Sequence, residues 1–145
     1  MSSADLVARA AANAMWAQDQ ASRALGMAIS DIAPGRATLT MTVTEAMVNG
    51  HGLCHGGYIF TLADSAFAFA CNSHNQRAVA QNCMITYVAP GRLGDALTAM
   101  CKEVSRTGRS GIYDVTVTRQ GGEVIAEFRG LSRTVKGTLV LETGV

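Results

Sequence analysis

Asp64 interrupts the apolar run Tyr58–Cys71, and neither Lys nor Arg occurs anywhere between Thr44 and Gln76. A buried, ionised carboxylate without a partner is costly, by several kcal/mol even after relaxation. Asp64 is therefore either bonded to a group distant in the chain or held there for chemistry. Among its neighbours three and four positions away, Phe60, Thr61, Phe67 and Ala68, only Thr61 has a proton to donate. A desolvated carboxylate suits a general base or a nucleophile. The structural alternative is an aspartate that caps buried backbone or pairs with a remote arginine.

His55-Gly56-Gly57 immediately precedes that run. Paired glycines let a backbone approach a ligand closely, and a helix start offers unpaired N–H groups at the positive end of its dipole. Such a place binds an anion or a carbonyl oxygen that is becoming an oxyanion, although Gly-Gly before a helix is also an ordinary turn. Asn49 and His55 bracket the same loop with an uncharged amide and an imidazole, suited to positioning a water and a carbonyl oxygen or simply to satisfying the turn. Gly57 and Asp64 lie seven residues apart, about 10 Å along a helix, too far to serve one carbon whose partners must sit within about 3 Å. A second, antiparallel copy of the helix removes the difficulty. The expectation is a homodimer with shared sites, Gly57 of one copy facing Asp64 of the other.

His51, Cys54 and His55 cluster in the loop, while Cys71 and His74 lie roughly 20 Å away at the far end of the helix. That is no standard zinc spacing, so no metal is expected. Gly-His-Gly-Leu-Cys-His matches no cysteine-nucleophile signature, leaving Cys54 as a small thiol that fills the loop. Arg106, Arg109 and Arg133 fall at strand ends, where arginines are usually solvated but can also hold a phosphate-bearing ligand.

These residues need a scaffold. Ala4–Leu25 is Ala-rich, with Leu6, Ala10, Ala14 and Ala17 at helical spacing, and predicts one surface amphipathic helix. From Arg36 the period becomes two, Ala37, Leu39, Met41 and Val43 alternating with Thr38, Thr40, Thr42 and Thr44, as a half-buried strand requires. Tyr58–Cys71 is apolar on every side of a helical wheel and must be surrounded by protein. Four strand-like segments follow, Val79–Ala89, Ala96–Arg106, Ile112–Gln120 and Val124–Val135, separated by turn signals at Pro90-Gly91, Gly108 and Gly121-Gly122; the last two pair as a hairpin. The economical arrangement is α+β, one curled antiparallel sheet around the central helix.

Composition is consistent with this. The 145 residues carry 12 basic and 11 acidic side chains, a net charge of +1 without a basic stripe, which argues against a nucleic-acid binder. Hydrophobic residues at 48% suffice for one core. The apolar run is shorter than the roughly 20 residues of a membrane span, and the start of the chain lacks the pattern of a secretory signal. A cytoplasmic protein with free thiols is expected. No repeat or linker marks a second domain. The expectation is one domain over 1–145, with an N-terminal helix at 1–25, a core at 26–136 and a tail at 137–145.

Asn49-Gly50-His51-Gly52, Cys54-His55-Gly56-Gly57, Leu62-Ala63-Asp64 and the stretch from Ala66 to Ser73 closely resemble the PaaI-like family of hotdog-fold acyl-CoA thioesterases. The resemblance continues through Ala89-Pro90-Gly91, Gly94-Asp95, Gly111-Ile112-Tyr113-Asp114 and Phe128-Arg129-Gly130. It implies a hotdog fold, dimers doubled into homotetramers, and hydrolysis of phenylacetyl-CoA and its ring-hydroxylated forms, as in phenylacetate catabolism. Coenzyme A then enters as part of the substrate, with no separate cofactor. Carried over residue by residue, Asp64 is the nucleophile or general base, the Gly57 N–H polarises the thioester carbonyl, and Asn49 and His55 orient water and thioester. Gly108-Arg109-Ser110 resembles the turn that contacts the coenzyme A nucleotide. Related thioesterases place a Ser or Thr near the start of the strand after the helix, where this chain has Ala80 and Gln81, so that role is not carried over. The competing expectations are a hotdog thioesterase of medium-chain or benzoyl-CoA preference and a non-catalytic acyl-CoA binding protein. A hotdog hydratase is weaker, for want of a catalytic Asp and His placed together on one helix.

Overall fold

Side-chain alternation on the strands separates an inner from an outer sheet face, and the inner face receives one long helix. The computed structural model describes residues 1–141; part of the expected C-terminal tail therefore lies outside the described residues. The elements run α1 (Ser3–Gln18), α2 (Gln20–Ala24), β1 (Ala28–Ala33), β2 (Arg36–Thr42), α3 (Gly56–Cys71), β3 (Ala78–Tyr87), β4 (Ala96–Thr107), β5 (Ser110–Thr118) and β6 (Val124–Thr134). The strands form one antiparallel sheet in the order β1-β2-β4-β5-β6-β3. This is the expected sheet wrapped on a helix.

From α3, Ile59, Leu62, Ala63, Ala66, Phe67, Phe69 and Ala70 are buried against Leu39, Met41, Leu97, Tyr113, Val115, Val117 and Phe128 of the sheet. Each fully buried large side chain contributes roughly 1.5–3 kcal/mol. Phe67 lies at the centre, its ring 5.7 Å from Tyr113 and 5.8 Å from Phe128 between centroids. It fits because position 130 is glycine: a Cβ there would stand 2.7 Å from the Phe67 ring.

The α3 helix is not enclosed on every side by its own chain. Gly57 is exposed, and Thr61, Asp64 and Ala68 are only half-buried. They form one stripe, spaced by four, three and four residues. The sheet is likewise open beside it, because among the described residues β3 pairs only with β6 and shows Val79, Met84 and Tyr87 to solvent.

Two sequence expectations are corrected at the N-terminus. The single helix over Ala4–Leu25 is two helices, because Asp19 turns back and accepts from the Ser22 N–H at 2.9 Å and the Ser22 hydroxyl at 2.7 Å, capping α2. The face that packs is Ala8, Ala11 and Ala12, whereas Leu6 is exposed. Strand β1, absent from the sequence reading, pairs with β2 through a bulge between Ile29 and Asp31 that breaks the period-two pattern.

Candidate active site

The loop before α3 is latched at several points. Its Asn49 Oδ1 accepts the backbone N–H groups of His51 at 2.9 Å and Leu53 at 3.2 Å, an Asx turn that rounds the loop. Further on, the His55 N–H donates to the Met47 carbonyl at 2.7 Å and the Cys54 N–H to the Gly91 carbonyl at 2.8 Å. These bonds deliver His55 to the N-cap of α3, where its Nδ1 accepts the Gly57 N–H at 2.9 Å. With Nδ1 accepting, any proton that the ring donates comes from Nε2. The Gly57 N–H, expected to be unpaired, is thus held by the cap of its own helix. Among the described residues the Gly56 N–H and the Asn49 amide nitrogen have no partner.

Tyr87 closes this corner. Its hydroxyl donates to the Gly56 carbonyl at 2.8 Å, and its ring lies so close that a Cβ at Gly56 would stand 2.9 Å from it. Burial, and then the nearby Cys54, push the Tyr87 phenol up.

Asp64 sits two turns along α3. Among the described residues no cation pairs with it. Thr61, the expected local donor, gives its hydroxyl proton to the Gly57 carbonyl at 2.8 Å, and the Ser65 hydroxyl meets that of Ser22 at 2.8 Å. The one described side-chain contact of the carboxylate is the Cys83 thiol of β3, with Sγ 3.8 Å from Oδ1. Burial raises the Asp64 pKa above the ordinary carboxylate value and the thiol offsets part of that rise. Such a group holds a proton more firmly than a solvated carboxylate, as a general base needs.

Arg109 and Ser110 lie apart from these groups, on the turn joining β4 to β5. The Arg109 guanidinium donates to the Thr134 carbonyl through Nη2 at 2.8 Å and Nε at 3.3 Å, fastening the turn to β6. Ser110 opens β5 opposite Arg133. Cys54 is buried and its thiol pKa is raised, by burial first and then by Asp95, so it is no nucleophile at neutral pH. No three His, Cys, Asp or Glu among the described residues come together as metal ligands do. A cleft of about 450 Å³ crosses the outer sheet face between Asp31, Arg36, Met100, Lys102, Asp114 and Thr116. Its Arg36–Asp31 pair at 2.8 Å and the neighbouring Arg129–Asp114 pair at 2.7 Å are mutually satisfied.

A family model, the Thioesterase superfamily, matches residues 51–126, from the loop before α3 into β6. The acyl-coenzyme A thioesterase PaaI of Escherichia coli K12 is 44% identical over 131 residues, covering 90% of this chain and 94% of that protein. The chain belongs to the thioesterase superfamily. Its fold follows suit: the solved E. coli PaaI, from the phenylacetic acid degradation operon, superposes with a TM-score of 0.91 at 43% identity, over 92% of this chain and 97% of that one. A Streptococcus mutans protein solved with acetyl-CoA superposes with a TM-score of 0.75 at 28% identity, over 77% of this chain and 90% of that one.

Within this thioesterase fold the structure gathers Asn49, His55 and Gly57 at the start of α3 and sets Asp64 apart on the same open stripe. Sequence reasoning missed Cys83 and Tyr87. Tyr87 lies on the inner phase of β3, opposite Ala126, so alternation along that strand is a usable signal for it. Cys83 is hidden by a bulge at Gln81, which resets that alternation. Ala80 faces inward opposite Ser132, and Gln81 is exposed on the bulge.

Proposed function

We propose that the chain is an acyl-CoA thioesterase that hydrolyses aryl-acetyl-CoA, phenylacetyl-CoA and its ring-hydroxylated forms, to the free acid and coenzyme A. The observation that carries this reading is Asp64, a carboxylate raised in pKa by burial and free of any cation, in a thioesterase-superfamily helix. The acyl class follows from the 44% identity to PaaI, whose solved form comes from the phenylacetic acid degradation operon.

An ionised Asp64 takes a proton from water, which attacks the thioester carbonyl carbon, or attacks that carbon itself. Either way the carbonyl oxygen becomes an oxyanion that collapses as the C–S bond breaks; in the first route the proton held by Asp64 passes to the leaving thiolate to give coenzyme A, and in the second water hydrolyses the Asp64–acyl anhydride, supplying the acid's new oxygen and the proton that the thiolate takes up. The oxyanion competes with His55 Nδ1 for the Gly57 N–H of the second copy, where Asn49 Nδ2 is a further donor at the same helix start. The reaction needs neither metal nor resident cofactor.

The working unit in this reading is a cytoplasmic homodimer, doubled into a tetramer as in the family it resembles. Two observations support a second copy: the open stripe on α3, and the exposed apolar residues of the edge strand β3. Among the described residues no helix is long and apolar enough to cross a membrane. For the coenzyme A phosphates, Arg109 and Ser110 are joined by Arg77, Arg106 and Arg133 at neighbouring register positions, a local concentration of cations in a chain of net charge +1. Glu103, whose charge is coupled to Arg106, is engaged by the Tyr113 hydroxyl at 2.7 Å and His74 Nε2 at 2.8 Å.

Steady-state hydrolysis of phenylacetyl-CoA, its hydroxylated forms, benzoyl-CoA and hexanoyl-CoA, followed by thioester absorbance, tests the proposal. The expected result is preference for the aryl-acetyl esters. Binding of all four without turnover would turn the chain into an acyl-CoA binding protein, and preference for hexanoyl- or benzoyl-CoA would reassign the acyl pocket.

A further inference from the structure

We propose that Cys83 is a positioning residue for Asp64, its thiol donating to the carboxylate and holding it in the reactive orientation. The inference rests on the reading of Asp64 as the reacting group. It begins with the bulge at Gln81. On β6 the inward residues are Ser132, Gly130, Phe128 and Ala126, and β3 meets them with Ala80, Cys83, Ile85 and Tyr87. Without the extra residue, period-two alternation from Ala80 would turn Asn82 and Met84 toward α3 instead. Burial agrees with the shifted phase, since Cys83 and Ile85 are half-buried while Asn82 and Met84 are exposed. Bulges re-aim side chains beside active sites, and this one brings a thiol to Asp64.

The neighbouring hydroxyls do not compete for that place. Thr61 donates to the Gly57 carbonyl and Ser65 meets Ser22, which leaves Sγ of Cys83, 3.8 Å from Oδ1, as the donor. A thiol is a weak donor. An arginine or several N–H groups would hold the carboxylate more firmly but would also stabilise its charge and weaken it as a base. The thiol orients Asp64 while burial continues to keep its pKa raised. Cys83 does not take over as nucleophile: burial first, then the charge of Asp64, push its pKa up to about 11. The other titratable group coupled to Asp64 is Cys71 on α3, pushed up to about 12 by burial first and then by Asp64. Among the described residues, the two thiols coupled to Asp64 are therefore neutral near neutral pH.

The experiment compares the wild type with Cys83→Ala and Cys83→Ser by two readouts. One is the acid limb of the kcat/KM profile on phenylacetyl-CoA; the other is the titration of the Asp64 carboxyl carbon by NMR, which needs no activity. Loss of the donor in Cys83→Ala should move both to higher pH and lower kcat about fivefold to tenfold with KM little changed, as removal of one weak hydrogen bond does. Cys83→Ser, which keeps a donor, should recover at least part of both shifts. An Asp64 titration that stays put in Cys83→Ala overturns the inference whatever the activity. A titration that moves in a protein that hydrolyses no thioester upholds the pairing and overturns the thioesterase reading instead.

Discussion

Two aspartates sit in this fold with opposite surroundings. Asp95 is buried just before β4 and accepts from Arg119 Nη2 at 2.9 Å, Gln120 Nε2 at 2.8 Å and the Arg92 N–H at 2.8 Å. Burial pushes its pKa up, yet the bonds from Gln120, Arg92 and Arg119 outweigh burial and hold it below the ordinary value. Asp64 is only half-buried, has one thiol donor at 3.8 Å, and its pKa stands above the ordinary value. Asp95 ties the Arg92 turn to the β5–β6 hairpin, and its carbonyl accepts the Val43 N–H at 2.9 Å beyond β2. It therefore supports the floor on which the 49–55 loop is latched. The contrast separates a carboxylate used as a structural anchor from one whose charge is left uncompensated, and the second is the one available for proton transfer or attack.

The largest effect that bears on this contrast is on turnover. Asp64→Asn should remain folded and lose about 10²- to 10⁴-fold in kcat, the range for removal of a general base. Asp95→Asn, assayed per folded molecule at a temperature where it is stable, should keep kcat within a few-fold. Equal losses in the two variants would erase the distinction.

Stability should show the reverse. Asp95→Asn leaves the Arg119 guanidinium partly unpaired beside a buried amide and should cost about 2–4 kcal/mol in urea denaturation at neutral pH. Because the Asp95 pKa is lowered on folding, that contribution is fully present above the unfolded value near 3.8 and disappears as pH falls through the folded value. The deficit of the variant should shrink accordingly below about pH 4. A deficit independent of pH would mean that shape, not charge, holds this turn.

The loop end of the site makes a smaller, intermediate case. His55→Ala removes the cap on Gly57 and should cost about 1 kcal/mol, while His55→Asn, a good N-cap residue, should restore stability. Turnover by the Asn variant then separates the two functions of His55. Full activity would limit His55 to capping, whereas a loss with stability intact would assign the imidazole a part in the chemistry.

How much of this was legible in the sequence depended on how regular each signal is. Strand β2 shows because Ala37, Leu39 and Met41 alternate without a break, and α3 because its apolar run has no other reading. Strand β1 was hidden by its bulge, and the division between α1 and α2 rests on the single cap Asp19 within an Ala-rich stretch that otherwise continues as helix. Asp64 stood out as a chemical anomaly that no local pairing removes. Its partner did not, because the bulge at Gln81 decides which face Cys83 takes, and that phase is set by pairing with β6, fifty residues away. The His55 cap escaped for a different reason: His is an uncommon N-cap, and Gly57 at the helix start reads as a free donor until the imidazole is placed.

The smallest expected effect has the opposite sign to the rest. Folding raises the Asp64 pKa, so the protonated form is favoured in the folded chain; the stability linked to it is present below the unfolded value near 3.8 and is lost as pH rises through the folded value. At pH 8 the charge is a burden that an amide does not carry. Asp64→Asn should therefore be more stable than the wild type, on the order of 0.5–2 kcal/mol, the usual gain when a functional group is traded for a structural one. That gain should fade toward pH 4, in the same interval where the deficit of Asp95→Asn begins to close. Urea midpoints of both variants and the wild type between pH 3 and 8 would give two curves that slope in opposite directions with pH. If Asp64→Asn is instead destabilised at pH 8, the carboxylate is paired in solution by a donor from the second copy, and its place in a shared site becomes structural as well as chemical.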